Sequence, residues 1–104
     1  MRRARSDKRY VGYHNEIDAG MTESGKIIRD AWVFGIIPET ETCEGWLTQR
    51  IEELWSQVNE EWEKYGFLVS NLPPELRERF MRIQTDALEK AKKAGWSPDM
   101  AGDD

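Results

Sequence analysis

Residues 46–65 read WLTQRIEELWSQVNEEWEKY, and this stretch decides the fold. At about 100° of rotation per residue of an α-helix, all of its large apolar side chains except Trp46 fall within an arc of about 100°, and every glutamate lies outside that arc. The pattern predicts an amphipathic helix over residues 44–65, with Trp55 and Trp62 on the face that meets the next helix. That face comprises Leu47, Ile51, Leu54, Trp55, Val58, Trp62 and Tyr65.

A second amphipathic helix is predicted over residues 74–94. Pro73 and Pro74 suit its first turn, where backbone amides have no partner within the helix, and Gly95 suits its end. Six of its apolar residues share an arc of about 80°, so two helices of similar length follow one another after a short connection. We therefore predict an antiparallel helical hairpin of 44–65 and 74–94. The face of the second helix comprises Leu76, Phe80, Ile83, Ala87, Ala91 and Ala94.

The segment 26–37 is apolar around most of its axis if it is helical, which is typical of a buried helix. Thr22 or Ser24 could cap its start, and Pro38 requires it to stop. The alternative is a buried strand over 32–37, which the β-branched residues favour. A lone strand would have no partner in so helical a chain, so we predict a third helix packed across the hairpin. The predicted fold class is a small all-α domain, and a dimer is a further expectation.

Charge is distributed unevenly along the 104 residues, a length that allows one domain at most. The first ten residues carry five basic side chains and one acidic, a charge of +4, so the formal total of −5 leaves −9 for the rest. We predict a flexible basic arm over 1–10, a single helical domain over 11–96 and a disordered acidic tail over 97–104. An acidic body is a poor surface for duplex nucleic acid, because such binding relies on Lys and Arg neutralising phosphates.

The longest apolar run, 31–37, is too short to span a membrane, so no membrane association is predicted. Cys43 is the only cysteine and has no intramolecular disulfide partner, which agrees with a reducing compartment. These two features together predict a cytoplasmic protein.

Residues with catalytic or ligating chemistry gather in two loops, 14–18 and 38–45. A structural zinc site needs four ligands, usually several Cys and His, whereas the chain has one of each, so neither metal nor cofactor is predicted. A helix start near Cys43 would favour its thiolate, but the neighbouring glutamates oppose that effect. The two loops could nevertheless meet in a site for a ligand, a metal or a reaction. This alternative site comprises His14, Glu16, Asp18, Glu41, Cys43 and Glu44.

Two tryptophans need not be buried in the core, and for Trp46 packing under the 32–37 segment is an equal alternative. Trp46 stands roughly opposite Trp55 around the helix, and Trp96 follows the end of the second helix, so both are candidate partner-binding residues. The chain has no Gly-rich phosphate loop, nucleophile elbow or dinucleotide fingerprint. We expect a non-catalytic accessory or regulatory protein that acts by protein–protein contact and self-associates as a homodimer. The alternative is a small enzyme or a ligand- or metal-binding protein that uses the two loops.

Overall fold

The computed structural model describes residues 9–97, and within them the protein is all-α. Three helices follow one another: α1 (Glu23–Val33), α2 (Thr48–Glu63) and α3 (Pro74–Lys93). Single turns of 3-10 helix lie at Tyr13–Asn15 and Val69–Asn71. The β pairing in this part of the chain is one isolated antiparallel bridge, between Arg9 and Leu47. The predicted all-α fold class is confirmed, whereas the expected dimer stays a prediction.

Helix α1 begins at Glu23, three residues before the predicted start at residue 26, and it ends earlier than predicted. The Thr22 hydroxyl caps it by accepting a hydrogen bond from the Gly25 amide at 2.9 Å. At the other end the Ile36 amide donates to the Ala31 carbonyl at 2.9 Å, and Gly35 takes a positive φ of 72°. This arrangement turns the chain out of the helix after Val33, so Gly35 ends α1 before Pro38 is reached. The alternative of a strand over 32–37 is wrong.

Helix α1 is the central element of the core, because it packs against both α2 and α3. Its Ile28, Ala31 and Val33 are fully buried. The two helices of the predicted hairpin meet through Trp62 and Phe80, whose rings pack edge to face with centroids 6.0 Å apart. Helix α1, which was predicted to pack across the hairpin, therefore also separates α2 from α3 over part of their length.

The prediction for Trp55 needs correction. Trp62 is buried and faces α3, but Trp55 remains 36% exposed at the edge of the apolar arc. The reason is that α2 packs mainly against α1 rather than along the length of α3, so the buried stripe narrows to Ile51, Leu54, Val58 and Trp62.

Helix α2 begins at Thr48, later than the predicted residue 44, because the preceding residues pair with the N-terminal segment. The Tyr10 amide donates to the Trp46 carbonyl at 2.8 Å, and the Gly45 amide donates to the Tyr10 carbonyl at 2.9 Å. Extended pairing of this kind excludes helical geometry at the same residues. Helix α3 ends as predicted: Gly95 has a φ of 100°, and the Trp96 amide donates to the Ala91 carbonyl at 3.0 Å.

Residues 1–8, in the predicted basic arm, and residues 98–104, in the predicted acidic tail, lie outside the described residues. The described end of the arm is held in place, since Arg9 also donates a side-chain hydrogen bond to the Gly45 carbonyl at 2.9 Å. Across residues 9–97, every helix is too short or too polar to traverse a lipid bilayer.

Candidate functional site

A cleft of about 290 Å³ opens between the N-terminal segment, α1 and α3. Its floor is apolar and its rim carries ionisable side chains. Helix α3 forms one whole wall, because residues spaced by four along a helix lie on one face. The cleft is lined by Tyr13, His14, Ala19, Trp32, Glu39, Arg82, Ile83, Asp86, Ala87, Lys90 and Ala94.

Two buried aromatic side chains, Tyr13 and Trp32, form the floor. Their rings pack edge to face with centroids 4.9 Å apart. The Trp32 indole N–H donates to the Glu41 carbonyl at 2.9 Å, and the Tyr13 amide donates to the Thr42 carbonyl at 3.0 Å. The 38–45 loop therefore fixes both aromatic residues through its backbone.

Gly20 packs directly against the Tyr13 ring, which occupies the space that a side chain at residue 20 would need. A Cβ at residue 20 would lie 2.6 Å from Tyr13 Cζ, and Gly20 has a φ of 84°, which side chains rarely adopt. The loop can pass this close to the ring only as glycine. The position of Tyr13 in the floor thus depends on a backbone contact as well as on its neighbours.

The rim is crossed by an ion pair between the loop after α1 and α3. Arg82 contacts Glu39 with both terminal nitrogens, at 2.8 and 3.1 Å, in the bidentate geometry that suits a guanidinium and a carboxylate. These hydrogen bonds hold the pKa of the Glu39 carboxyl below its usual value and raise the pKa of Arg82. The remaining ionisable residues of the rim are His14, Asp86 and Lys90.

A buried polar network lies behind the floor and connects all three helices. Arg29 and Asp30 of α1 are 7% and 1% exposed, respectively. The Arg29 guanidinium donates to the Tyr13 hydroxyl at 3.0 Å, to the Gly20 carbonyl at 2.6 Å and to Gln84 Oε1 at 2.9 Å. These bonds satisfy a buried cation and also orient Tyr13 at the cleft.

The Asp30 carboxylate receives three hydrogen bonds. The donors are Trp62 Nε1 at 3.0 Å, Lys26 Nζ at 3.0 Å and Gln84 Nε2 at 3.3 Å. Gln84 therefore links the two buried charges, since its carbonyl oxygen accepts from Arg29 while its NH₂ group donates to Asp30. A buried ion is tolerated where hydrogen bonds of this kind replace its hydration.

The six residues of the predicted alternative site do not come together around this cleft. His14 lines it and packs edge-on against Tyr13, with ring centroids 5.3 Å apart. Glu16 instead accepts hydrogen bonds from the Tyr10 hydroxyl and, at 2.7 Å, from the Thr22 hydroxyl. Burial and this carboxylate raise the pKa of the Tyr10 phenol. Asp18 is exposed.

The 38–45 loop uses its candidate residues for its own structure. The Glu41 carboxylate accepts a hydrogen bond from the Cys43 amide at 2.9 Å, and Glu44 is exposed. Cys43 is fully buried, and this burial, with the nearby Glu41 carboxylate, raises the pKa of its thiol to about 12. A thiol of this kind is protonated at neutral pH and is a poor nucleophile. Within residues 9–97, no group of three or more His, Cys, Asp or Glu side chains could hold a metal ion.

Trp46 and Trp96 lie away from the cleft. Trp46 is half-buried against the core, with the Arg50 guanidinium 4.1 Å from its ring centroid. It also lines a second cavity of about 200 Å³, together with Ile36, Ile37 and Leu54. Trp96 is half-buried beyond the end of α3. Their role as partner-binding residues stays a prediction.

The α3 wall and the Arg29–Asp30 network were not predicted from the sequence. Alternating charges along α3 resemble an ordinary solvent-exposed helix face, so the wall had no distinctive signal. The network did have one: Arg29 and Asp30 interrupt a segment that is otherwise apolar around its axis. Charged residues on a buried helix must have buried partners.

Comparison with known proteins adds no relative, since no protein-family model, curated protein or solved structure matches the chain.

Proposed function

We propose that this protein is a small, non-catalytic binding protein whose cleft between the N-terminal segment, α1 and α3 holds an amphipathic guest. The observation that carries the proposal is the pairing of a buried aromatic floor with a rim of five ionisable residues. Binding sites of this type bury the apolar body of a guest and fix its orientation with a few polar groups at the edge. At about 290 Å³, the cleft is at the small end of such sites.

The chemistry of the candidate nucleophile supports binding rather than reaction. The Cys43 thiol is buried and its pKa is raised to about 12. Nucleophilic catalysis would need an accessible thiolate with a base beside it. We also propose a cytosolic location, which a free cysteine favours.

A neutral aromatic probe tests this proposal. Benzyl alcohol titrated into ¹⁵N-labelled protein should shift the Trp32 indole N–H resonance in a saturable way, because the ring would bind against the floor. The matched variant is Ala94→Leu, which narrows the mouth of the cleft at an exposed position and should weaken the shift. An unchanged Trp32 resonance throughout the titration would contradict the proposal.

Self-association is a second proposed activity, and two exposed apolar side chains of α3 support it. Met81 and Leu88 are 54% and 37% exposed and lie seven residues apart, so they share one face. A second copy could cover this face in a two-fold arrangement in which each helix presents the same residues. Sedimentation equilibrium should show a dimer that Met81→Lys weakens and Leu68→Lys, at an equally exposed apolar position outside α3, leaves intact. A monomer at all concentrations would contradict this proposal.

A further inference from the structure

The charges around the cleft alternate in sign. Arg82, Asp86 and Lys90 follow one another at intervals of four residues along α3 and all line the cleft. Glu39 lines the cleft from the loop after α1 and binds Arg82, so it adds a negative charge next to Arg82 at one end of this series. The rim thus presents negative, positive, negative and positive groups in turn, with His14 as a further ionisable neighbour.

Two of these groups are available to a guest. Glu39 and Arg82 neutralise each other through their bidentate contact. In the part of the chain that the structure describes, Asp86 and Lys90 form no ion pair with any other residue. One carboxylate and one ammonium group therefore stand a single helical turn apart at the edge of the aromatic floor.

This arrangement discriminates between guests by charge. A guest with only a carboxylate would be attracted by Lys90 but repelled by Asp86. A guest with only an ammonium group would be attracted by Asp86 but repelled by Lys90. A guest with both groups matches both free charges, and complementarity of this kind chiefly determines specificity.

The floor favours an aromatic body. Tyr13 and Trp32 already pack edge to face, and a third ring can extend such packing. We infer that the cleft takes a free amino acid with an aromatic side chain, its ammonium group at Asp86, its carboxylate at Lys90 and its ring against Tyr13 and Trp32. This inference rests on the proposed function, because it names the guest of the same cleft.

Three probes that share a phenyl ring test the inference by isothermal titration calorimetry and by the Trp32 indole resonance. L-Phenylalanine carries both charges, 3-phenylpropanoate lacks the ammonium group and 2-phenylethylamine lacks the carboxylate. L-Phenylalanine should bind about fivefold more tightly than either, since one exposed ion pair changes affinity by about that factor.

Substitutions at the two exposed charged residues test which charged group of the guest each residue contacts. Asp86→Asn should remove the preference for L-phenylalanine over 3-phenylpropanoate, and Lys90→Gln should remove the preference over 2-phenylethylamine. The matched controls are Glu89→Gln and Lys93→Gln, on exposed α3 residues outside the cleft, which should retain both preferences.

The possible outcomes separate the inference from the proposed function. Equal binding of all three probes, or tighter binding of either singly charged probe, would overturn the inference and leave the cleft as a binding site. The same conclusion follows if the control variants remove the preferences as effectively as the cleft variants do. If none of the three probes nor benzyl alcohol shifts the Trp32 resonance, both the inference and the proposed function are wrong.

Discussion

Replacing Asp30 with alanine should lower the free energy of unfolding more than the replacement of any single exposed residue does. The carboxylate is 1% exposed and accepts from Trp62, Gln84 and Lys26. Its removal leaves the buried Trp62 indole N–H without an acceptor, a loss of about 1.5–3 kcal/mol for a bond to a charged group. The longer Gln84 bond adds about 1 kcal/mol. The buried Arg29 cation also loses the negative charge to which Gln84 links it.

We therefore expect Asp30→Ala to lower the free energy of unfolding by about 3–5 kcal/mol, the usual range for breaking a buried ionic network. Domains of this size are stable by about 5–15 kcal/mol, so the variant loses a large share of its stability. Urea unfolding followed by circular dichroism and by tryptophan fluorescence measures the change. Asp30→Asn keeps one acceptor and should fall between the wild type and Asp30→Ala.

Lys26→Met is the matched control, because it removes only the exposed donor of the same network. The Lys26 side chain is 61% exposed but its partner Asp30 is 1% exposed, so removing this one donor should cost about 1 kcal/mol, more than an exposed pair contributes and less than Asp30→Ala costs. If Asp30→Ala and Lys26→Met lower stability equally, or if Asp30→Ala lowers it by less than about 1 kcal/mol, the carboxylate is hydrated and the reasoning is refuted.

Three further predictions concern the cleft and its supporting loops. Gly20→Ala should lower stability by about 2–4 kcal/mol, because the methyl group would collide with the Tyr13 ring at a backbone conformation unsuited to alanine; unfolding curves check this, and a neutral effect would mean that the ring moves freely. At pH values above the ordinary pKa of glutamate, Glu39→Gln should lower the free energy of unfolding by a small amount. Since the folded-state pKa of Glu39 is lowered, this difference should disappear as the pH falls through the folded-state pKa, and a difference that grows in acid would contradict the assignment. Cys43 should react slowly with a thiol reagent at pH 8 in the folded protein and rapidly in denaturant; equal rates would contradict its burial and raised pKa.

The local pattern of the sequence was sufficient to predict two of the three helices closely. Each of α2 and α3 has a continuous apolar face, and α3 has proline at its start and glycine after its end. The Thr22 cap of α1 is equally local. These features depend on residues within a few positions of one another, which is why they can be recognised from a single sequence.

The features that the sequence did not predict depend on distant residues. The start of α2 is displaced by pairing with Tyr10, which lies more than 30 residues earlier. Trp55 stays exposed because α1 takes the place that a hairpin partner would have filled. The cleft joins His14 and Glu39, both in or beside predicted loops, to α3 residues whose charges look like ordinary surface. Only tertiary packing brings these groups together.

Gln84 makes two hydrogen bonds that few other side chains could make in its place. Its primary amide offers an acceptor to Arg29 and a donor to Asp30 in one orientation only. Glutamate has the same shape but, when ionised, offers only acceptors, so it can serve Arg29 and repels Asp30. Methionine fills the volume and serves neither. A screen of all substitutions at residue 84 should therefore retain glutamine alone, even though the residue is half-buried and does not line the cleft.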